Sequence, residues 1–167
     1  MFFMVTGIFI GRFQPFHIGH LSVIYQMSQE VDEIIIGIGS AQYFDTEYNP
    51  FTADERELMI RKSLNIDKPY QIFKLNDLND FPRWVPYVEY VCPKFDVVYS
   101  GNTIVKQLFE EREYKTVQPN NIKKISATEI RKMMLENKTW KEYLPEGAIS
   151  IIEAIDGIAR LKNLHKR

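Results

Sequence analysis

The chain has 167 residues, enough for one hydrophobic core and too few for two independent ones, so a single domain over residues 1–167 is expected. Hydrophobic residues make up 45%, charged residues 26% and aromatic residues 13%, which excludes a disordered chain. Its 21 basic and 22 acidic side chains leave a net charge of −1, which argues against a general nucleic-acid binder. A lone cysteine, Cys92, excludes an internal disulfide and a cysteine-based zinc cluster, and fits a reducing, cytoplasmic setting. No run approaches the roughly 20 apolar residues of a membrane span. The apolar start lacks the basic segment and cleavage pattern of a secretion signal, and reads better as a buried strand.

Strand-like and helix-like segments alternate along the chain. Residues 4–10 form a β-rich apolar run closed by Gly11, and residues 19–30 place Val23, Ile24 and Met27 at helical spacing. Residues 31–39 carry Ile34, Ile35, Ile36 and Ile38 in a continuous apolar run that suits a parallel strand covered on both faces. Thr52 with Glu55 predicts a capping box ahead of Leu58, Met59, Ile60 and Leu64. A strand over 70–75, a short helix over 84–91 despite Pro86, and a strand over 95–100 follow. Val105, Leu108 and Phe109 mark the next helix, and Ser126 with Glu129 repeats the capping box before Ile130, Met133 and Met134. Residues 146–164 predict one or two further helices. The pattern is that of an α/β, Rossmann-like, doubly wound parallel sheet with a helical C-terminal segment. In such sheets ligands sit beyond the carboxyl ends of the strands, which directs attention to the loops after the first, second and fourth strands.

The first of these loops, Gly11-Arg12-Phe13-Gln14-Pro15-Phe16-His17-Ile18-Gly19-His20, holds two of the three histidines. Imidazoles three residues apart at a helix start can face the same way. The helix N-terminus adds free amides and partial positive charge, which suits phosphate. A metal pair and two ordinary surface histidines are the competing readings, and no nearby third ligand supports the metal. The second constellation is Lys123-Lys124-Ile125-Ser126-Ala127-Thr128-Glu129-Ile130-Arg131. Its hydroxyls and amides meet at a capped helix start, one turn from a guanidinium able to grip the same anion. Alone it also reads as a plain capping box with a solvated Arg131. Together the two segments suit a triphosphate held from two sides.

These segments resemble the HxGH and ISxTxxR-type signatures of the nucleotidyltransferase α/β-phosphodiesterase superfamily. Gly11 to His17, Ile38-Gly39-Ser40-Ala41-Gln42, Asn49 to Arg56, Trp84-Val85 and Val98 to Asn102 are similar to the archaeal-type nicotinamide-nucleotide adenylyltransferases, and the likeness covers nearly the whole chain. The resemblance implies that the 5′-phosphate of nicotinamide mononucleotide (NMN) attacks the α-phosphorus of ATP, giving NAD and pyrophosphate, with Mg²⁺ carried by ATP. It implies catalytic roles for His17, His20 and Arg131. ATP contacts fall to Gly11, Arg12, Phe13, Gln14, Pro15, Gly19, Gly101, Asn102, Ser126 and Thr128. Gly39, Ser40 and Ala41 would serve NMN, with Trp84 stacked on the pyridine ring. It also implies a homo-oligomer, hexameric in some relatives, with neither nucleic acid nor membrane as partner.

This chain departs from the pattern at Phe44-Asp45 before Thr46, at Phe81 three residues before Trp84, and at Tyr48, all on the acceptor side. Another adenylyl- or cytidylyltransferase of the same superfamily is therefore the nearest alternative. A class I aminoacyl-tRNA synthetase fragment lacks support, since no Lys-Met-Ser-Lys-type loop is present. A non-catalytic nucleotide sensor would have no need of both histidines and Arg131. Arg56 reads as an internal ion-pair partner, and His165 as a solvated residue of a basic tail.

Overall fold

The computed structural model describes residues 4–120 and 125–167. Five strands form one parallel sheet in the order β3-β2-β1-β4-β5, from β1 (Thr6–Gly11), β2 (Glu33–Ile38), β3 (Tyr70–Lys74), β4 (Val97–Tyr99) and β5 (Lys115–Val117). From β1 the chain steps outward to β2 and β3, then returns to place β4 on the other side of β1. The ends of β1 and β4 thus flank the topological switch point of a doubly wound sheet. Register is continuous across β1 and β2, from Thr6 opposite Glu33 to Gly11 opposite Ile38. The continuous apolar run of β2 is explained by burial of Ile34, Ile35, Ile36 and Ile38.

The helices are α1 (Ile18–Glu30), α2 (Ala53–Ser63), α3 (Phe81–Val91), α4 (Thr103–Glu110), α5 (Ala127–Leu135), α6 (Glu146–Ala154) and α7 (Gly157–His165), with one 3₁₀ turn at Lys141–Tyr143. Both expected capping boxes form, Thr52 with Glu55 and Ser126 with Glu129. Helix α3 starts three residues earlier than its apolar spacing suggests. Asp80 caps it and a proline sits in its first turn, while Pro86 is tolerated inside. The tail forms two helices, broken where Asp156 takes a left-handed conformation with φ 52°. Strand β5 has no counterpart in the sequence reading, because three residues at a sheet edge are too few for an alternating pattern. No helix among the described residues is long and apolar enough to cross a membrane.

The chain divides into two compact units, each assembled from separate stretches. The first comprises residues 4–11, 23–40 and 66–120 and contains the sheet. Its core joins Ile8, Ile35, Leu75, Val85, Val88, Cys92, Phe95, Val98 and Phe109. Phe109 makes edge contacts with Trp84, Phe95 and Tyr114. The second comprises residues 12–22, 41–65 and 125–167. Here Glu55 joins two elements: it closes the capping box of α2 and takes both guanidinium nitrogens of Arg160, from α7, at 2.7 and 2.8 Å. Helix α6 packs directly on the end of α2, where a Cβ built on Gly147 would lie 2.4 Å from the Lys62 carbonyl. Backbone cannot yield as a side-chain tip can, so Gly147→Ala is expected to destabilise the protein by about 1–3 kcal/mol. Urea titration followed by circular dichroism checks this; an unchanged midpoint would contradict the packing.

Candidate active site

The predicted residues fall into two groups, one in each unit. In the second unit, the His17 carbonyl accepts the Leu21 amide at 3.0 Å, which makes His17 the capping residue of α1. Its Nδ1 accepts the amides of Gly19 at 3.1 Å and His20 at 3.4 Å. In return the His20 Nδ1 accepts the His17 amide at 3.3 Å. This is the reciprocal geometry of a capping box, built from two imidazoles where Ser or Thr and Glu are usual. The rings stack with centroids 3.6 Å apart and 25° between planes.

A ring nitrogen that accepts an N–H carries no proton, so each neutral imidazole holds its proton on Nε2. Burial pushes the His17 pKa down to about 4. His20 is held well below the ordinary histidine value by burial and then by the charge of His17. Both rings therefore carry a neutral Nε2–H group at a helix N-terminus. Gly19 is required for a steric reason, since none of the described glycines has a positive φ. A Cβ there would stand 2.9 Å from the Cε1 of His17 and 3.0 Å from its Nδ1.

The rest of the loop supports this pair. The His20 ring meets Phe13 edge-on at 4.8 Å and stacks on Phe16 at 5.7 Å. Phe13 adopts φ 53°, a conformation that costs a non-glycine residue about 1–2 kcal/mol. Gln14, next to the cis peptide to buried Pro15, points its side chain at backbone: Nε2 donates to the Phe51 carbonyl at 2.8 Å and Oε1 accepts the Phe51 amide at 3.0 Å.

Its carbonyl accepts Nη1 of Arg131 at 2.8 Å, and Arg131 Nη2 donates to the Thr128 hydroxyl at 3.4 Å. Arg131 is buried, which lowers its pKa, and the Arg12 charge acts in the same direction against Glu47 and Tyr48. Fully buried Arg56 donates to the carbonyls of Thr52 and Arg12. Burial, with the Arg12 charge, pushes it down to about 10. The field of Arg12 thus reaches two further guanidiniums, a concentration of positive charge that favours an anion. Thr128 and Arg131 border a cavity of about 320 Å³ that also meets Glu47, Tyr48 and His165. His165, expected to be solvated, has its Nδ1 2.9 Å from the Glu47 carboxylate. The Ser126 hydroxyl is engaged within its own capping box, donating to Glu129 at 2.7 Å. Lys123 and Lys124 lie outside the described residues.

In the first unit, the Gly39 amide continues the β-ladder by donating to the Gly11 carbonyl at 2.8 Å. Ser40 is buried with φ 48°, and its hydroxyl donates to Asp77 Oδ2 at 2.7 Å. Ala41, which follows Ser40 in the chain and belongs to the second unit, is half-buried. Trp84 lies edge-on to Phe109 at 5.7 Å, and Asn102 caps α4 by accepting the amides of Ile104 and Val105. Trp84 and Asn102 line one cavity of about 440 Å³, together with Asp77, Leu78, Asn79, Asp80, Phe81, Ile104, Val105 and Leu108. Beside Gly101 an added Cβ would meet only the Gln118 amide, at 3.6 Å. Trp84 and Asn102, expected at the nicotinamide and adenosine ends of the product, both border this cavity. Asp77 is not among the residues expected from the sequence; it opens the Asp-Leu-Asn-Asp run that follows Leu75-Asn76 after β3, at the sheet end where ligand loops gather.

The imidazole box makes stability depend on pH. Both rings are neutral when folded, whereas an unfolded histidine binds a proton near pH 6.5. Stability from this source is therefore complete above 6.5 and is lost as pH falls toward about 4. In His17→Asn the amide oxygen can replace Nδ1 as the capping acceptor without titrating. Between pH 7 and 4.5 the parent is expected to lose roughly 2–3 kcal/mol more than the variant, by the pKa difference alone. Denaturant midpoints across this range check it; parallel curves would contradict the neutral pair.

The comparisons agree with this architecture. Residues 8–133 match the cytidylyltransferase-like family model. The chain is 50% identical to the nicotinamide-nucleotide adenylyltransferase of Methanococcus aeolicus, over 98% of this chain and 96% of the relative. It is 46% identical to that of Pyrococcus horikoshii, over 96% and 89%. Among solved structures it is similar to a bifunctional NMN adenylyltransferase/ADP ribose pyrophosphatase from Francisella tularensis complexed with AMP and a manganese ion. The TM-score is 0.76 at 23% identity, a likeness of fold, and covers 96% of this chain and 52% of that one. The chain belongs to the cytidylyltransferase-like family and, within it, to the nicotinamide-nucleotide adenylyltransferases.

Proposed function

We infer that this protein transfers AMP from ATP to NMN, forming NAD and releasing pyrophosphate. The observation that carries the reading is the pair of Nε2–H donors held in a helix-capping box, in a unit where Arg12 and Arg131 add fixed positive charge. An oxygen of the NMN 5′-phosphate attacks the α-phosphorus of ATP, and the bond to the bridging oxygen of pyrophosphate breaks. No covalent enzyme intermediate is needed, so the protein contributes position and charge stabilisation. His17 and His20 would donate Nε2–H bonds to α-phosphoryl oxygens as charge builds there. Arg131 and Thr128 would hold the departing β- and γ-phosphates, with Arg12, Gly19, Ser126 and backbone of residues 11–15 completing the nucleotide contacts. Gly101 and Asn102 would approach adenosine. Gly39, Ser40, Ala41 and Trp84 would serve NMN, where a cationic pyridinium over the indole contributes on the order of 0.5–2 kcal/mol.

Among the described residues no cluster of three or more His, Cys, Asp or Glu could cage a metal. The phosphate-side groups are guanidiniums, hydroxyls and N–H donors, which suit phosphate oxygens. In this reading Mg²⁺ enters as part of the substrate, bound to the triphosphate. The reading includes a single nucleotidyltransferase domain, because neither compact unit is a continuous piece of chain. It also includes a cytoplasmic location and a homo-oligomer, hexameric by resemblance, which light scattering would measure directly.

Incubation with ATP, Mg²⁺ and NMN is expected to give NAD and pyrophosphate in equal amounts. His20→Ala is expected to lower kcat by roughly 10²–10³-fold while ATP affinity changes only a few-fold, as for loss of one transition-state donor. Pyrophosphate release without NAD, or equal losses in turnover and binding, would contradict the assignment.

A further inference from the structure

The C-terminal helix α7 reaches Pro50 and Phe51 by two separate contacts. At its start, buried Gly157 packs on fully buried Phe51, where an added Cβ would lie 3.0 Å from the ring. One turn on, Arg160 donates from Nη1 to the Pro50 carbonyl at 3.2 Å. Glu55 fixes its fork: Nη1 donates to Oε2 at 2.7 Å and Nη2 to Oε1 at 2.8 Å. The same Oε2 accepts the Thr52 amide at 2.9 Å, so one carboxylate ties α7 to the backbone entering α2. The pair is largely shielded, with 30% of the Arg160 side chain and 16% of that of Glu55 exposed. A paired fork of this kind sets direction as well as distance. From the other side, the buried Gln14 amide uses both its nitrogen and its oxygen on Phe51, at 2.8 and 3.0 Å. The Gln14 carbonyl in turn accepts Nη1 of Arg131 at 2.8 Å. The Phe51 backbone cannot shift without breaking one of these bonds or carrying Gln14 with it.

We propose that Arg160 is a positioning residue for the phosphoryl transfer, acting through Pro50, Phe51 and Gln14 on Arg131 and on the segment that leads to His17 and His20. The inference rests on the proposed reading of that segment as the triphosphate site. Arg160 touches no substrate on this account. It fixes the 50–52 backbone, the backbone fixes the Gln14 amide, and Gln14 presents its carbonyl to the guanidinium that grips the leaving phosphates. The consequence of losing Arg160 is geometric. A displacement of about 1 Å from a change far from the chemistry can lower a rate on the order of a hundredfold. A lysine ammonium does not replace the fork, because it is a point charge without the two parallel N–H groups that face Glu55.

The test measures kcat and KM of the full chain with ATP, Mg²⁺ and NMN, per folded protein. Arg160→Ala is expected to lower kcat by roughly 10–100-fold while the KM for ATP changes only a few-fold. Arg160→Lys keeps the charge and loses the fork, so its kcat should fall by a smaller factor; it carries the test if the alanine variant does not fold. Lys162→Ala removes a cation of the same helix that bonds Asn137, and should leave kcat unchanged. Gln14→Glu keeps an acceptor for the Phe51 amide and, when ionised, has no donor for the Phe51 carbonyl. Combined with Arg160→Ala, it should lower kcat by less than the product of the two separate losses, because both act on Phe51. A parental kcat in the Arg160 variants, losses that simply multiply, or an equal fall in Lys162→Ala would overturn the inference while leaving adenylyl transfer intact. Absence of NAD from the unaltered protein would instead overturn the proposed function, and this inference with it.

Discussion

Four hydrogen bonds at the start of α1 fix the shape and the tautomers of its two histidines. The His17 carbonyl takes the Leu21 amide, the His17 ring takes the Gly19 and His20 amides, and the His20 ring takes the His17 amide. These contacts satisfy helix-end donors that would otherwise need water, as any capping box does. Because the acceptors are imidazole nitrogens, the same contacts also decide where the ring protons reside. Local structure and chemistry are thus one arrangement: what caps the helix also sets the tautomer, and the tautomer directs an N–H donor away from the backbone. Neutrality follows from burial and from the proximity of the two rings, which makes charging either one unfavourable.

Much of the second unit keeps this loop in shape. Gln14 clasps the Phe51 backbone, Arg131 holds the Gln14 carbonyl, and Arg56 holds the Arg12 carbonyl. Buried guanidiniums are costly unless their donors are matched, and here two of them bond to carbonyls of one short loop. Phe13 and Phe16 close on the His20 ring, and the strain at Phe13 is sustained by that packing. Preorganised donors and charges of this kind stabilise a developing phosphoryl charge without rearranging at the moment of reaction.

What could be read from the sequence was local. The two Thr/Ser–Glu capping boxes, the continuous apolar run of β2 and the alternation of elements depend on residues a few positions apart, and each of them formed. Gly19 was visible as a glycine, but its reason was not: a Cβ there meets the His17 ring, which depends on how that ring folds back. Gln14 and Phe51, like Ser40 and Asp77, are joined across 37 residues. Neither pair leaves a periodic trace, so neither link is legible in the sequence. Asp80 and a first-turn proline moved the start of α3 ahead of its apolar spacing. Strand β5 was too short to show alternation.

The state of the two imidazoles tests the account most directly. The chain has three histidines, and His165 lies exposed near the C-terminus, so nitrogen-15 NMR of the imidazoles needs few assignments. At pH 7, without nucleotide, the account predicts that His17 and His20 are both neutral, with the proton on Nε2 and an unprotonated, hydrogen-bonded Nδ1. A proton on Nδ1 of either ring, or an imidazolium at that pH, would contradict it.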